Sequence, residues 1–374
     1  MDSDIPSCSS KNTTERDIEG ESVVLRRIGP ESSDMDPEVA KQLFYRGATF
    51  VLLDMPQADF SATGRTDNSV PPRIGFFQNF REKDLVVRKW DSVNEDISDD
   101  STTEDEIANY RLNLESLDPF LGPYPYESYR AWFSLTNHIT YDTIKRLQPV
   151  DNGGRITSQC DLVTKESTDV GYCNTVDKDH PKRKRYIDKD GLPIMLPRPG
   201  TEIRFTRLPG RRLTTESTAS ERTTAGMDAS DQMSSLVEAV GGNEDDILGE
   251  IQFAFVCFII GQVYHAFEQW KRIIAVVCSC EKALVMRPMF FEKLTVVLYY
   301  QLREVPDDFF VDIVTKNNFL LFVLSNFFTL ISTTDGVAGS LRRRSAKFRS
   351  YLEKKFKWDF TNEGDEYQPV VVDL

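Results

Sequence analysis

The stretch DDILGEIQFAFVCFIIGQVYHAFEQWKRII, residues 245–274, constrains this chain more than any other. Its middle, residues 251–263, is almost entirely apolar, so it must be buried in a bilayer or in a protein core. A spanning helix needs roughly 20 apolar residues. This run stops short: Gln252 and Gln262 bracket its core, and Glu250, His265, Glu268, Lys271 and Arg272 crowd its ends. The spacing predicts two packed helices of a soluble domain. Ile251, Ala254, Phe255, Phe258 and Ile259 share one helical face. After Gly261, a second stripe runs through Val263, Ala266, Phe267, Trp270, Ile273 and Ile274. Trp270 is expected in the core.

The helical signal continues to residue 360 through PMFFEKLTVVLYYQLREV, PDDFFVDIVTKN, NFLLFVLSNFFTLIST and GSLRRRSAKFRSYLEKKFKWDF, with Pro288 and Pro306 opening new elements. Antiparallel neighbours in an all-helical domain are expected, with pairs that suggest a repeat module of no strict period. Upstream the pattern changes. Residues 1–34 are polar and read as a disordered extension. Residues 36–46 predict a short helix, with Asp36 as cap, Pro37 at its start, Val39, Leu43 and Phe44 on its apolar face, and Gly47 ending it. ATFVLLDMP, RIGFFQNF and LVVRKWD read as strands. Residues 91–106 carry eight acids and no base, which reads as a solvated loop. A helix bearing Ile107, Tyr110, Leu114 and Leu117 follows. Further helices are expected from Tyr126 and from a Thr140 cap to Pro149. Residues 150–197 lose periodicity, 198–209 read as an ordered strand, and 214–224 as a flexible Ser/Thr-rich segment. The fold class is α+β, a β-rich N-terminal domain followed by an all-α helical C-terminal domain. The expected divisions are 1–34, 35–150, a linker 151–244, a helical domain 245–360 and a tail 361–374.

Composition narrows the function classes. A formal charge of -14 over 374 residues argues against nucleic-acid binding through the overall field and leaves room for a local basic surface. The N-terminal stretch has no apolar segment of a secretory signal, so the six cysteines are expected as free thiols in a reducing compartment. Three histidines, His138, His180 and His265, join no cysteine in a metal-binding pattern. No glycine-rich nucleotide loop, nucleophile elbow or zinc-protease motif occurs. The reading is a non-enzymatic protein with no catalytic residues, no metal and no cofactor, and with neither a membrane nor a small-molecule substrate as partner.

Three stretches remain as candidate binding or regulatory sites. The helix near the C-terminus carries Arg342, Arg343, Arg344, Lys347, Arg349, Lys354, Lys355 and Lys357 against only Glu353 and Asp359. It is either a solvated outer face, with Leu341, Phe348, Leu352 and Phe356 turned inward, or a docking surface for RNA or an acidic protein. The Ser/Thr segment, with Thr214, Thr215, Ser217, Thr218 and Ser220, offers phosphorylation sites. In the tail, Pro369, Val370, Val371, Val372 and Leu374 favour an extended strand. Such a strand must pair with its own sheet or with another chain by β-augmentation.

Several blocks in this order carry a resemblance: MDPEVAKQLFYRGATFVLLDMP, LDPFLGPYPYESYRAWFSLTNHIT, RPGTEIRFTRLP, LGEIQFAFVCFIIGQVYHAFEQWKRII, VPDDFFVDIV and KKFKWDF…PVVVDL. Together they resemble the a1-cistron splicing factor family, assembly factors of the U5 small nuclear ribonucleoprotein. The resemblance implies a β-rich N-terminal and an α-helical C-terminal domain. It implies a non-enzymatic assembly chaperone of the U5 particle precursor, present in cytoplasm and nucleus. Its implied partner is the large spliceosomal scaffold protein, held through RNase H-like and MPN-type domains so that the U5 RNA helicase docks late. Release is implied to follow phosphorylation. The pattern departs near residues 57–72, where QADFSATGRTDNSVPP replaces a longer β-rich segment of the family. Two or three strands' worth of chain is missing there.

Overall fold

Short runs rich in Val, Leu, Ile and Phe open the chain, and they form strands. The computed structural model describes residues 21–28, 39–44, 47–52, 74–80, 85–91, 96–97, 102–113, 126–150, 153–162, 195–209, 228–307, 309 and 319–360. The described residues fall into two compact units, one drawn from 1–68 and 77–130, the other from 69–76 and 131–374. The strands are β1 (Glu21–Ile28), β2 (Val39–Phe44), β3 (Gly47–Leu52), β4 (Ile74–Phe80), β5 (Leu85–Asp91) and β6 (Asp96–Ile97). In the first unit one sheet runs β2-β1-β5-β6. β1 pairs antiparallel with β2, from Glu21↔Phe44 to Arg26↔Val39, and parallel with β5, from Ser22↔Leu85 to Ile28↔Asp91.

Two expectations fail here. The stretch 1–34, read as disordered, contains β1, and the helix expected over 36–46 is instead the strand β2. A segment this short cannot sustain a helix by its own propensity. Backbone pairing with β1, contributed from elsewhere in the chain, decides its state. The strand readings of β3, β4 and β5 agree with the structure. β3 and β4 share a sheet in which Ala48, Phe50, Phe77 and Phe80 are buried, and the Phe50 and Phe77 rings meet edge-on at 4.9 Å.

The acidic stretch 91–106 is not loop throughout. Its end starts helix α1 (Glu104–Leu112), where Thr103 and Glu106 form a reciprocal capping box. The Glu106 N–H donates to Thr103 Oγ1 at 3.3 Å, and the Thr103 N–H donates to Glu106 Oε2 at 2.9 Å. Acids in a first helical turn also complement the helix dipole. Of the expected apolar face of this helix, Ile107 and Tyr110 are half-buried, and Leu114 and Leu117 lie outside the described residues.

The second unit begins within α2 (Tyr126–Thr136) and continues with α3 (Tyr141–Leu147), capped by Thr140 as expected. Strand β7 (Ile156–Thr157) pairs antiparallel with the first residues of β4, and β8 (Cys160–Leu162) with β9 (Met195–Pro197). Residues 198–209 are ordered but join no ladder, which corrects the strand expected there. Helices α4 (Ser230–Val240), α5 (Asp245–Ile259), α6 (Tyr264–Val277), α7 (Glu281–Met286), α8 (Pro288–Glu304), α9 (Phe319–Thr333) and α10 (Gly339–Phe356) complete the unit. The C-terminal run of helices therefore starts at Ser230, inside the stretch read as linker. Pro288 opens α8 as its first residue, where a missing N–H costs nothing. The helix expected from Pro306 lies mostly outside the described residues.

The apolar run 245–274 becomes α5 and α6, two packed helices. Every residue from Ile247 to Cys257 is buried, so α5 is the central helix of the unit, enclosed on all sides. The turn into α6 is made by Gln262, at φ 56, and not by Gly261. Trp270 is fully buried, as expected. Its indole N–H donates to Gln301 Oε1 at 3.0 Å, and its ring lies 6.0 Å from Phe255 and 5.8 Å from Phe267. Among the described residues no helix is long and apolar enough to cross a membrane.

Candidate functional site

α10 presents two opposite faces because its apolar residues recur every three to four positions. Leu341, Ser345, Phe348, Leu352 and Phe356 are buried against α8 and α9. The basic residues occupy the remainder, and the structure divides them by role. Arg342 is half-buried; its guanidinium donates to the Ser332 carbonyl at 2.7 Å and the Thr334 carbonyl at 2.6 Å. It thereby satisfies carbonyls at the end of α9 that have no helical partner. Lys355 does the same for α8, donating to the carbonyls of Leu302 (3.0 Å), Arg303 (2.7 Å) and Val305 (2.7 Å). Arg344 faces Glu292 at 3.7 Å, and Arg349 pairs with Glu353 at 2.8 Å, one turn along the helix. Arg343, Lys347, Lys354 and Lys357 are exposed and have no acidic partner among the described residues. Of the eight basic residues singled out from sequence, Arg342 and Lys355 are therefore helix caps. The tail residues Pro369, Val370, Val371, Val372 and Leu374, and the segment with Thr214, Thr215, Ser217, Thr218 and Ser220, lie outside the described residues.

Sequence reasoning missed a buried polar lock on α5. Glu250 and Gln252 read as polar ends of an apolar run, yet both are buried. The Glu250 carboxylate accepts from Arg146 at 2.7 Å, from the Thr206 N–H at 2.9 Å and hydroxyl at 2.6 Å, and from Gln269 at 3.1 Å. Gln252 Oε1 accepts the His138 N–H at 2.8 Å, while its amide donates to the Ser134 carbonyl at 3.1 Å and Asn137 Oδ1 at 2.8 Å. Gly249 allows the close approach: a Cβ there would lie 2.5 Å from the His138 carbonyl oxygen. The Arg204 N–H donates to the Leu147 carbonyl at 2.7 Å and completes the seam. Three positions on α5 thus fasten the turn between α2 and α3, and the strand-like segment 201–209, to the helical core. Through these contacts residues 131–150 pack with the helical unit. The available signal was two polar residues inside a run too apolar to end there.

The other titratable groups are held by packing. Burial pushes the His265 imidazole down to about 4, and neither ring nitrogen has a hydrogen-bond partner among the described residues. Burial raises the thiols of Cys257, Cys278 and Cys280 well above the usual range, which makes thiolate chemistry unfavourable there. Among the described residues no His, Cys, Asp or Glu side chains gather as metal ligands. A surface hollow of 360 Å³ is lined by Glu244, Met286, Arg287, Pro288 and Met289, with Arg287 and Glu244 paired at 2.6 Å. Met286 and Met289 are exposed on its rim.

These features define an α+β protein with a β-rich N-terminal region and a helical body that carries a basic outer face. Comparison with known proteins gives the family. The AAR2 N-terminal domain matches residues 46–149, and the AAR2 C-terminal repeat region matches residues 205–361. The chain is similar to the protein AAR2 homolog of Caenorhabditis elegans, 37% identical over 359 residues, covering 87% of this chain and 98% of that one. It is similar to the mouse homolog at 37% over 386 residues (92% and 98%) and to the human homolog at 36% over 377 residues (91% and 97%). The chain belongs to the AAR2 family, the a1-cistron splicing factors, and is a splicing-related factor of that type. The mouse alignment is longer than the chain itself, so positions of that relative have no counterpart here.

Proposed function

We propose that this protein is a non-enzymatic assembly chaperone of the U5 small nuclear ribonucleoprotein. It binds the large spliceosomal scaffold protein, through RNase H-like and MPN-type domains, and delays docking of the U5 RNA helicase. The observation that carries this reading is family membership across about nine-tenths of the chain, including the AAR2 repeat region. The site chemistry supports a binding role. The buried acid Glu250 is committed to structural hydrogen bonds, and the buried thiols and His265 are held neutral. The helical body is cross-linked by the Glu250 and Gln252 networks, which gives a rigid platform of the kind pre-organised interfaces need. In this reading the tail residues Pro369, Val370, Val371, Val372 and Leu374 add a strand to an exposed sheet edge of the scaffold. Phosphorylation among Thr214, Thr215, Ser217, Thr218 and Ser220 promotes release, and the protein works in both cytoplasm and nucleus.

The test is capture of partners by the tagged full chain from cytoplasmic and nuclear extracts. Recovery of the scaffold protein with the helicase depleted is the expected result. Recovery of the helicase in equal amount on the same particles, or failure to recover the scaffold, overturns the proposal.

A further inference from the structure

Three cations on α10, and Lys357 just past its end, have no structural duty in the fold. Arg343, Lys347 and Lys354 fall within about 60° of arc on the helix, and Arg343 to Lys354 spans about 16 Å. Lys357 extends the line at the helix end, where it takes a left-handed conformation at φ 58. All four side chains are exposed. Their basic neighbours are occupied: Arg342 and Lys355 cap helices, and Arg349 is paired. A row of unpaired cations on a chain of net charge -14 is a local feature, and like charges held this close repel one another. A polyanion laid along the row relieves that repulsion.

We propose that the outer face of α10 binds the phosphate backbone of duplex RNA without reading its sequence. Three observations select this occupant. The exposed positions between the cations are Ala346 and Ser350, too small to anchor a protein partner, whose interface would need a buried apolar or aromatic centre. A phosphate backbone needs no such anchor, since charge neutralisation and counterion release supply the affinity. Single-stranded nucleic acid would want exposed aromatic platforms, and the nearby rings are turned away. Tyr351 packs on Tyr299 at 4.7 Å, and Phe356 stacks on Trp358 at 4.6 Å. Each strand of a B-form duplex carries one phosphate per ~3.4 Å of helix axis, and a duplex RNA is charged about as densely, so a line of this length meets several. RNA is preferred over DNA because the chain belongs to a splicing-related family.

The experiment is fluorescence anisotropy of the full chain with a labelled RNA duplex of about 20 base pairs, long enough to cover the stripe. Four phosphate contacts predict a slope near -3.6 in log affinity against log salt, roughly a hundredfold loss between 50 and 200 mM. Replacing Arg343→Gln, Lys347→Gln, Lys354→Gln and Lys357→Gln together is expected to weaken binding at 50 mM by at least about tenfold and to flatten that slope. A Lys347→Arg/Lys354→Arg/Lys357→Arg chain is expected to bind like the parent. Melting curves confirm that the variants fold. If the fourfold variant melts lower, Lys347→Gln and Lys354→Gln singly are read instead, each expected to weaken binding and reduce the slope by about one unit. The proposal is overturned if the parent does not bind the duplex at 50 mM, or if the glutamine variants bind it as tightly as the parent. Tighter stripe-dependent binding of an acidic peptide, or of a DNA duplex, also overturns it. Capture of the scaffold protein is a separate readout, so this inference and the proposed function fail independently.

Discussion

Glu250→Ala is the most informative single change. The carboxylate is 1% exposed and receives four hydrogen bonds, from Arg146, the Thr206 backbone, the Thr206 hydroxyl and Gln269. Removing it leaves a guanidinium that is only 26% exposed without its anion and the Thr206 backbone N–H unsatisfied, and takes one of the two bonds of the Gln269 amide, whose bond to the Thr206 carbonyl at 2.9 Å remains. Breaking a buried ion pair from one side costs about 3–5 kcal/mol, and each stranded donor costs about 1–3 kcal/mol before relaxation. Arg146 can turn partly to water, so the expected loss is about 4 kcal/mol in total. For a unit of this size that lowers the melting temperature by roughly 10 °C. Differential scanning calorimetry and urea unfolding read the change. Glu250→Gln keeps an acceptor for the Thr206 N–H and is expected to cost about half as much. The double variant Arg146→Ala/Glu250→Ala should cost clearly less than the sum of the singles, because the two changes share one interaction. Proteolysis gives a local readout: the 201–209 segment should become the first site of cleavage once its anchor is lost. A Glu250→Ala chain within about 0.5 kcal/mol of the parent would refute the reasoning, since surface substitutions produce changes of that size.

Trp270→Ala is expected to cost about 3–5 kcal/mol, measured by denaturant unfolding, because the indole is fully buried and its N–H is bonded to Gln301. His265 titrates near 4 when folded and near 6.5 when unfolded, so the unfolded chain binds the extra proton between these values. Its contribution is complete above pH 6.5 and is lost as the pH falls towards 4; melting of His265→Phe should lose up to about 3 kcal/mol less over that window than the parent. Deleting residues 369–374 is expected to leave the melting temperature unchanged while weakening capture of the scaffold protein at least about tenfold, as lost strand addition implies. Acidic replacement of Thr214, Thr215, Ser217, Thr218 and Ser220 together should reduce the same capture; unchanged binding would place the release signal elsewhere.

Local pattern determined much of this protein. Helices α5, α6, α8 and α10 follow from apolar spacing, Pro288 and the alternation of Lys and Arg with Leu and Phe, because those signals act within one or two turns. The strands β3, β4 and β5 likewise carry their own β-branched and aromatic runs. Other outcomes depended on partners far away in the chain. β2 became a strand because β1 offered an edge, and a short segment has too little propensity of its own to resist. Glu250 and Gln252 looked like the ends of an apolar run, but α2, α3 and residues 201–209 bring the donors and acceptors that allow them to be buried. The basic helix shows the same division at the level of function. Its composition announced a charged face, but only the positions of the α8 and α9 carbonyl ends decided which cations close the fold and which four remain open to an anion. A cation's duty is set by whatever lies within about 3 Å of it, and in a folded chain those atoms come from residues tens of positions away.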